Sequence, residues 1–220
     1  MDPGRHPHTP DEAPATAVAD RLAAQIDFLL EADRLKSVLR RGHLADGSRL
    51  ENSAEHSWTL ALMAIVLAEH AAEPVDLATV VRMVVIHDVV EVDAGDTYVY
   101  DDAANSDRAE RERRAADRLF GLLPPDQAAE LRALWDEFEE GSSPEARFAR
   151  SLDRFAGFLL NHASGGRSWR DHGVTADRIF DRNRTVGDGA PALWDEVRRR
   201  LARAVDEGLV DPGPGGVAGS

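Results

Sequence analysis

The sequence predicts an all-α fold, arranged as a single bundle of about seven to eight helices. Three observations predict it. Apolar residues recur at helical spacing, as in the run Val18, Leu22, Ile26, Leu29 and Leu30. Helix caps, prolines and glycines separate the periodic segments, and no segment alternates convincingly as a strand would. The chain has 220 residues, of which 43% are hydrophobic, and this is enough for one core.

The predicted helices follow from this periodicity and from the residues that interrupt it. Asn52 or Ser53 can cap the second helix, and Glu55 stands at capping-box spacing from Asn52. Pro74 ends that helix, and Asp76 caps the third. The expected helices span residues 16–37, 53–72, 76–91, 104–121, 125–139, 145–163, 175–183 and 190–207.

Proline and glycine mark the later helix boundaries. Pro124-Pro125 begins the fifth helix, and residues 141–144 separate the fifth helix from the sixth. Gly165-Gly166 ends the sixth helix. The bundle is therefore expected to consist of distinct helices with short connections.

Both ends of the chain have the composition of flexible tails. Residues 1–14 contain four prolines and little apolar material, and residues 211–220 are rich in glycine and proline. Such segments bury too little apolar surface to offset the entropy of ordering them. One domain is therefore expected over residues 15–210.

Composition and charge restrict the class of protein. The formal net charge is −14, with 40 acidic and 26 basic residues, and this disfavours binding to a DNA or RNA polymer. The absence of cysteine excludes disulfides, thiolate catalysis and cysteine-based metal sites. The sequence has neither a long apolar run nor an apolar signal core, so we expect a cytoplasmic protein without membrane association.

Four residues on three predicted helices could form a metal site: His56, His87, Asp88 and Asp153. Two nitrogen and two oxygen ligands leave open positions on a divalent ion for water and a phosphate oxygen. Residue types and spacing alone leave an alternative open, because a histidine on an apolar helix is often a hydrogen-bonded core residue. Asp88 favours the metal site, since a carboxylate beside an apolar helix needs a cation or another partner.

These residues lie in sequence blocks that resemble the HD-domain phosphohydrolases, specifically the branch of small 5′-nucleotidases. The resemblance implies that one divalent ion is bound by His56, His87, Asp88 and Asp153. The blocks are Leu35–Arg40, Asp46–Arg49, Glu51–Trp58, Ile86–Glu91 followed by Gly95-Asp96, and Leu152–Arg154.

The same resemblance implies roles for three further residues. Arg40 would bind the phosphate, and Glu91 and Asp96 would assist the chemistry. Dinuclear members of the superfamily carry additional histidines that are missing between Val89 and Leu152 here, so a single ion is expected. The resemblance also implies that relatives preferring deoxynucleotides have an aromatic residue at the position of Arg41. Because this chain has an arginine there, the resemblance does not predict a preference for deoxyribose.

The expected function is hydrolysis of a nucleoside 5′-monophosphate, or a similar phosphate monoester, to the alcohol and inorganic phosphate. Two alternatives stay open: a nucleotide pyrophospho- or triphosphohydrolase, and a non-catalytic nucleotide-binding protein. The ligand set suits manganese, cobalt, iron, nickel or magnesium. The expected partners are a small phosphate-bearing anion and a second copy of the chain in a homodimer.

Overall fold

A computed structural model of the chain describes residues 13–101 and 106–214, with side chains from residue 17 onwards. Most of these residues are helical, which confirms the predicted all-α class. None of the described helices combines the length and the apolar composition needed to cross a membrane. The α-helices are α1 (Ala13–Asp33), α2 (Ser53–Leu67), α3 (Leu77–Ile86), α4 (Glu91–Ala94), α5 (Arg108–Phe120), α6 (Pro125–Glu140), α7 (Pro144–Ala163), α8 (Arg167–Asp171), α9 (Ala176–Asn183), α10 (Val186–Gly189) and α11 (Pro191–Asp206).

A short hairpin between α1 and α2 corrects the expectation that the chain has no strands. Strand β1 (Leu39–His43) pairs antiparallel with β2 (Leu50–Asn52), with an irregular register between the two ends of the ladder. Gly47 adopts a φ of 70° in the connecting turn. The strands were missed because β1 is short and mostly polar and shows no alternation of apolar residues. The hairpin places Arg40 beside the first turn of α2.

The third helix is shorter than predicted, because α3 ends at Ile86 instead of continuing to residue 91. The indole nitrogen of Trp135 donates a hydrogen bond of 3.1 Å to the carbonyl of His87. The α-helical bonding has already ended at Val89, whose amide donates to the carbonyl of Ile86, three residues back, at 3.1 Å. The chain turns instead, with the amide of Glu91 donating to the carbonyl of Asp88 at 2.9 Å, and α4 begins there.

Helix α7 lies at the centre of the bundle and packs against α2, α3, α6, α10 and α11. Its side chains Phe148 and Leu152 are fully buried. Gly189 allows α10 to approach this helix closely, since a β-carbon there would lie 2.4 Å from the backbone carbonyl carbon of Arg147. This packing fixes the orientation of α7 and therefore of Asp153, which follows Leu152.

The predicted tails fall largely outside the described residues. Of residues 1–14, only the last two are described, at the start of α1. At the other end the amide of Ala176 donates to the carbonyl of Asp211 at 2.7 Å, so the segment to residue 214 contacts α9. Residues 215–220 and the predicted start of the fourth helix at residues 104–105 also lie outside the described part. The domain limits 15–210 stay a prediction.

Candidate metal centre and substrate cavity

His56 lies in the first turn of α2, and a capping box fixes that turn. The side chain of Asn52 accepts the amide of Glu55 at 2.9 Å, and the Glu55 carboxylate accepts the amide of Asn52 at 3.2 Å. Such reciprocal bonds satisfy two backbone donors at the start of a helix. The side chain of His56 is fully buried and therefore held in one place.

His87 and Asp88 follow α3 and face His56. Donor atoms from these three side chains all lie within 4.8 Å of one another, and all three residues are buried. His87 Nδ1–H donates to the carbonyl of Val84 at 2.9 Å. This bond leaves His87 Nε2 directed at the cluster, 3.0 Å from Asp88 Oδ1 but without the alignment of a hydrogen bond.

This arrangement fits a divalent cation. A histidine ligand commonly donates its second ring nitrogen to a carbonyl or carboxylate, which sets the tautomer and turns the other nitrogen toward the metal. His87 satisfies that pattern, and its unpartnered Nε2 lies beside a buried carboxylate. Burial lowers the pKa of His87, but the charge of Asp88 outweighs it and raises the pKa to about 9. The site therefore attracts positive charge strongly.

Asp153 reaches the cluster from α7. Its Oδ1 accepts a hydrogen bond from His56 Nε2 at 2.9 Å. Burial acts to raise the pKa of Asp153, but this bond and the charges of His56 and His87 hold the pKa well below its usual range. The structure thus brings all four sequence-predicted ligands together, with Asp153 placed beside His56 at the margin of the more compact group of three.

Arg40 is surrounded by the carboxylates of the centre. Its Nη1 donates to Asp88 Oδ2 at 2.8 Å, and its nitrogens lie 3.9 Å from Asp153 Oδ1 and 4.0 Å from Asp96 Oδ1. A planar guanidinium offers paired donors that match phosphate oxygens. Arg40 therefore stands where a substrate phosphate could contact both a guanidinium and a bound cation.

Glu91 and Asp96 lie on the same side of the centre. Glu91 Oε2 accepts a 2.6 Å hydrogen bond from Ser53 Oγ. Burial and the charge of Asp88 together raise the pKa of Glu91 to about 8. Burial also raises the pKa of Asp96. A carboxyl group with a pKa near neutral, as at Glu91, suits a general acid–base role, and Asp96 is shifted in the same direction.

Two further residues in the site were not predicted from the sequence, although both lie within the matching blocks. Glu51 is 3% exposed, and its Oε2 lies 3.5 Å from His56 Nδ1 and 3.7 Å from Arg40 Nε. Ser53 is fully buried and holds Glu91. The pairing of β2 with β1 places Glu51 next to His56 and Arg40. Glu51 was missed because that pairing was not predicted.

A cavity of about 620 Å³ opens from this centre. It is bordered by Arg40, Asp88 and Asp153 at one end and extends past α6, α7 and α9. The volume is in the range of sites that hold small organic ligands, about 300–1,000 Å³. Arginines and aromatic residues form much of its wall: Arg108, Arg150, Arg154, Tyr100, Phe138, Phe158 and Trp169.

Residues 32–194 match the family model of the HD domain. The chain belongs to this family. The predicted resemblance is therefore confirmed, and the match includes every residue assigned above to the metal centre. The candidate metal centre of this HD-domain protein draws its residues from α2, the turn after α3, and α7.

Curated relatives share part of this sequence. The chain is 32% identical over 144 residues to the 5′-deoxynucleotidase HDDC2 of Bos taurus, covering 64% of this chain and 69% of the relative. It is also 32% identical over 130 residues to the 5′-deoxynucleotidase HDDC2 of Homo sapiens, covering 59% of this chain and 62% of the relative. These names agree with the branch predicted from the sequence.

Solved structures resemble the HD-domain protein over most of its length. A predicted metal-dependent phosphohydrolase from Magnetospirillum magnetotacticum MS-1 superposes with a TM-score of 0.84 at 49% identity, covering 88% of this chain and 97% of that one. The PH0347 protein of Pyrococcus horikoshii OT3 has a TM-score of 0.59 at 22% identity and shares the fold, covering 81% and 99% of the two chains.

Proposed function

We propose that this HD-domain protein is a metal-dependent phosphohydrolase that cleaves a nucleoside 5′-monophosphate, or a similar phosphate monoester, to the alcohol and inorganic phosphate. The observation that carries the proposal is the unpartnered, buried His87 Nε2 beside Asp88, at the end of a cavity that also holds Arg40. The names of the curated relatives and of the Magnetospirillum structure support the same reaction class.

His56, His87, Asp88 and Asp153 would hold one divalent ion. When bound, such an ion supplies Lewis-acid charge and lowers the pKa of a water ligand towards about 7. Two imidazoles and two carboxylates without sulfur suit manganese, cobalt, iron, nickel or magnesium. The histidine-free stretch from Val89 to Leu152 supports one ion rather than two.

The other residues of the chain would bind the phosphate and move protons. Arg40 would donate to the phosphoryl oxygens and neutralise the charge that develops on them. Glu91, oriented by Ser53, would orient or deprotonate the attacking water. Asp96 would contact the sugar or protonate the leaving oxygen. A small substrate also suits a chain of net charge −14, which repels a nucleic acid polymer.

Phosphate release tests this function. Purified protein supplied with Mn²⁺ or Co²⁺ should release orthophosphate from a nucleoside 5′-monophosphate, and His87→Ala and Asp153→Ala should each abolish the release. His70→Ala, which removes a histidine remote from the centre, serves as the control. Retained activity in both ligand variants would refute the assignment. Release of diphosphate from the matching nucleoside 5′-triphosphate, with no orthophosphate released from the monophosphate, would identify a pyrophosphohydrolase instead.

We also propose that α2 forms the interface of a homodimer. Trp58, Leu62, Ile65 and Val66 recur at helical spacing on α2 and are 46–67% exposed. A contiguous apolar helix face exposed to water is typical of an interaction surface, and a two-fold axis would bury it against itself. Light scattering should give a dimer mass for the native chain and a monomer mass for Trp58→Glu. A native monomer at micromolar concentration would refute the interface.

A further inference from the structure

Three arginines form a cluster in the wall of the cavity that opens from the metal centre. Arg150 and Arg154 lie one helical turn apart on α7, and Arg108 lies on α5. All three line the cavity, and Arg154 interacts electrostatically with both of the others. Like charges placed together repel one another, so the cluster requires compensation.

The three guanidinium groups differ in how they are compensated. Arg108 Nε pairs with Glu112 Oε1 at 2.6 Å. Arg150 Nη1 donates to the carbonyls of Phe138 and Glu139 at 3.0 and 2.6 Å. Arg154 has no hydrogen bond or ion pair with any residue in the described part of the chain, although Asp153 beside it exerts an attraction.

The lack of a partner for Arg154 is unusual in this protein. Acidic residues outnumber basic ones, and most arginines along the described surface are paired with a carboxylate, as Arg21 is with Asp126 and Arg82 with Glu130. Arg154 is half-buried, so water solvates it only in part. A partly desolvated guanidinium without a partner is costly unless an anion from a ligand completes it.

The reacting phosphate does not account for this cluster. Arg40 already stands at the metal centre, bonded to Asp88 at 2.8 Å, as the donor available to that phosphate. The cavity is far larger than one phosphate group, so the alcohol portion of the substrate must occupy the remainder. The cluster therefore faces the part of the substrate that is not hydrolysed.

We propose that Arg154, flanked by Arg108 and Arg150, binds a second phosphate group carried by the alcohol portion of the substrate. This inference rests on the proposed function and narrows its substrate class to phosphate monoesters that carry a second phosphate group. Hydrolysis breaks the phosphorus–oxygen bond of the ester at the metal centre, water supplies the new oxygen on phosphorus, and the alcohol oxygen takes a proton. The second phosphate group is unchanged.

Paired substrates test the second subsite. We would compare kcat/KM for a nucleoside 5′-monophosphate with kcat/KM for the matching 3′,5′- and 2′,5′-bisphosphates, using the metal-loaded native protein. At least one bisphosphate should be preferred. Arg154→Gln should lower kcat/KM for that bisphosphate by about 10–100-fold, mainly through KM, since a hydrogen bond to a charged group is lost. It should change kcat/KM for the monophosphate by less than about threefold.

Two further variants serve as controls. Arg154→Lys keeps the charge and should restore part of the preference. Arg113→Gln removes one charge from the exposed side of α5 and should leave kcat/KM unchanged for both substrates. The thermal unfolding midpoint of each variant shows whether it is folded. If folded Arg154→Gln loses kcat/KM equally for both substrates, Arg154 belongs to the site of the reacting phosphate and the proposal is overturned. The proposal is also overturned if the native protein prefers neither bisphosphate over the monophosphate.

A binding measurement separates failure of the subsite from failure of the proposed function. If the native protein hydrolyses neither substrate, the phosphatase assignment fails, and calorimetry with the same bisphosphate still tests the subsite. Tighter binding of the bisphosphate than of the monophosphate, lost in Arg154→Gln and retained in Arg113→Gln, would support the second anionic subsite alone. Equal binding of the two probes would overturn it.

Discussion

Replacing Glu51 by glutamine should weaken metal binding without altering any metal ligand. The Glu51 carboxylate is 3% exposed and lies 3.5 Å from His56 Nδ1, the nitrogen that faces away from Asp153. Carboxylates in this position orient a metal-bound histidine and increase its basicity. Glutamine has nearly the same shape but no charge, so the substitution isolates the electrostatic contribution.

The expected loss has two parts. Removing a carboxylate behind a metal-bound histidine typically lowers metal affinity by about 10–100-fold, or about 1.4–2.8 kcal/mol. The lower end of that range is expected here, because Glu51 Oε2 and His56 Nδ1 are 3.5 Å apart and not aligned as a hydrogen bond. The substitution also removes the attraction to Arg40 at 3.7 Å, a gross Coulomb energy of about 4 kcal/mol at an effective dielectric of about 20. Arg40 keeps its 2.8 Å bond to Asp88, so it should stay in the site.

Titration of metal-free protein with Mn²⁺ measures the loss of metal affinity. KM for the phosphate substrate reports on the positioning of Arg40. Glu55→Gln is the matched control, since Glu55 lies four residues away, pairs with exposed Arg49, and as glutamine can still complete the capping box. Metal affinity within about twofold of the native value in folded Glu51→Gln would refute the role of this carboxylate.

Further predictions follow from single contacts. Ser53→Ala removes the 2.6 Å bond to Glu91 and should lower kcat by about tenfold, whereas Mn²⁺ affinity should be unchanged; a native kcat would show that Ser53 does not orient Glu91. Exhaustive chelation should abolish phosphate release and added Mn²⁺ should restore it, so activity that survives chelation would contradict metal dependence. Leu152→Ala should lower the free energy of unfolding by about 2–5 kcal/mol in urea titrations, because its side chain is fully buried on α7. Gly189→Ala should destabilise by about 1–3 kcal/mol, since its β-carbon would overlap the backbone of Arg147; an unchanged urea midpoint would mean that α10 can shift.

Local signals predicted the helices well where caps and prolines are encoded in the sequence. Asn52 and Asp76 both cap the helices expected of them. The end of α3 was predicted too late because residues 86–90 contain no proline or glycine, and the Trp135 indole that contacts the turn there is 48 residues away in sequence. The pairing of β1 with β2 depends similarly on contacts that polar strands do not reveal through periodicity. Long-range hydrogen bonds of this kind override local propensity.

The candidate site shows the same division between local and long-range information. The resemblance to a known family named His56 and Asp153 as ligands, but residue types alone left a core histidine possible at His87. The cluster around Arg154 gave no sequence signal, since arginines are spread along the whole chain and most of them are paired. Only the folded structure shows that Arg108 on α5 and Arg150 and Arg154 on α7 line the same cavity, and that Arg154 has no ion pair among the described residues.

The electrostatics of the centre give a reason for a cation that is independent of any relative. Five carboxyl groups surround Arg40 and the two histidines: Glu51, Asp88, Glu91, Asp96 and Asp153. Without a metal, protons compensate part of this charge, which is why the pKa of His87 rises to about 9 and that of Glu91 to about 8. A buried group of carboxylates that takes up protons near neutral pH is also one from which a divalent ion can displace them. The charge imbalance therefore favours a metal at the same place where His87 Nε2 lies 3.0 Å from Asp88 Oδ1 without a hydrogen bond, so that a cation could replace the proton between them.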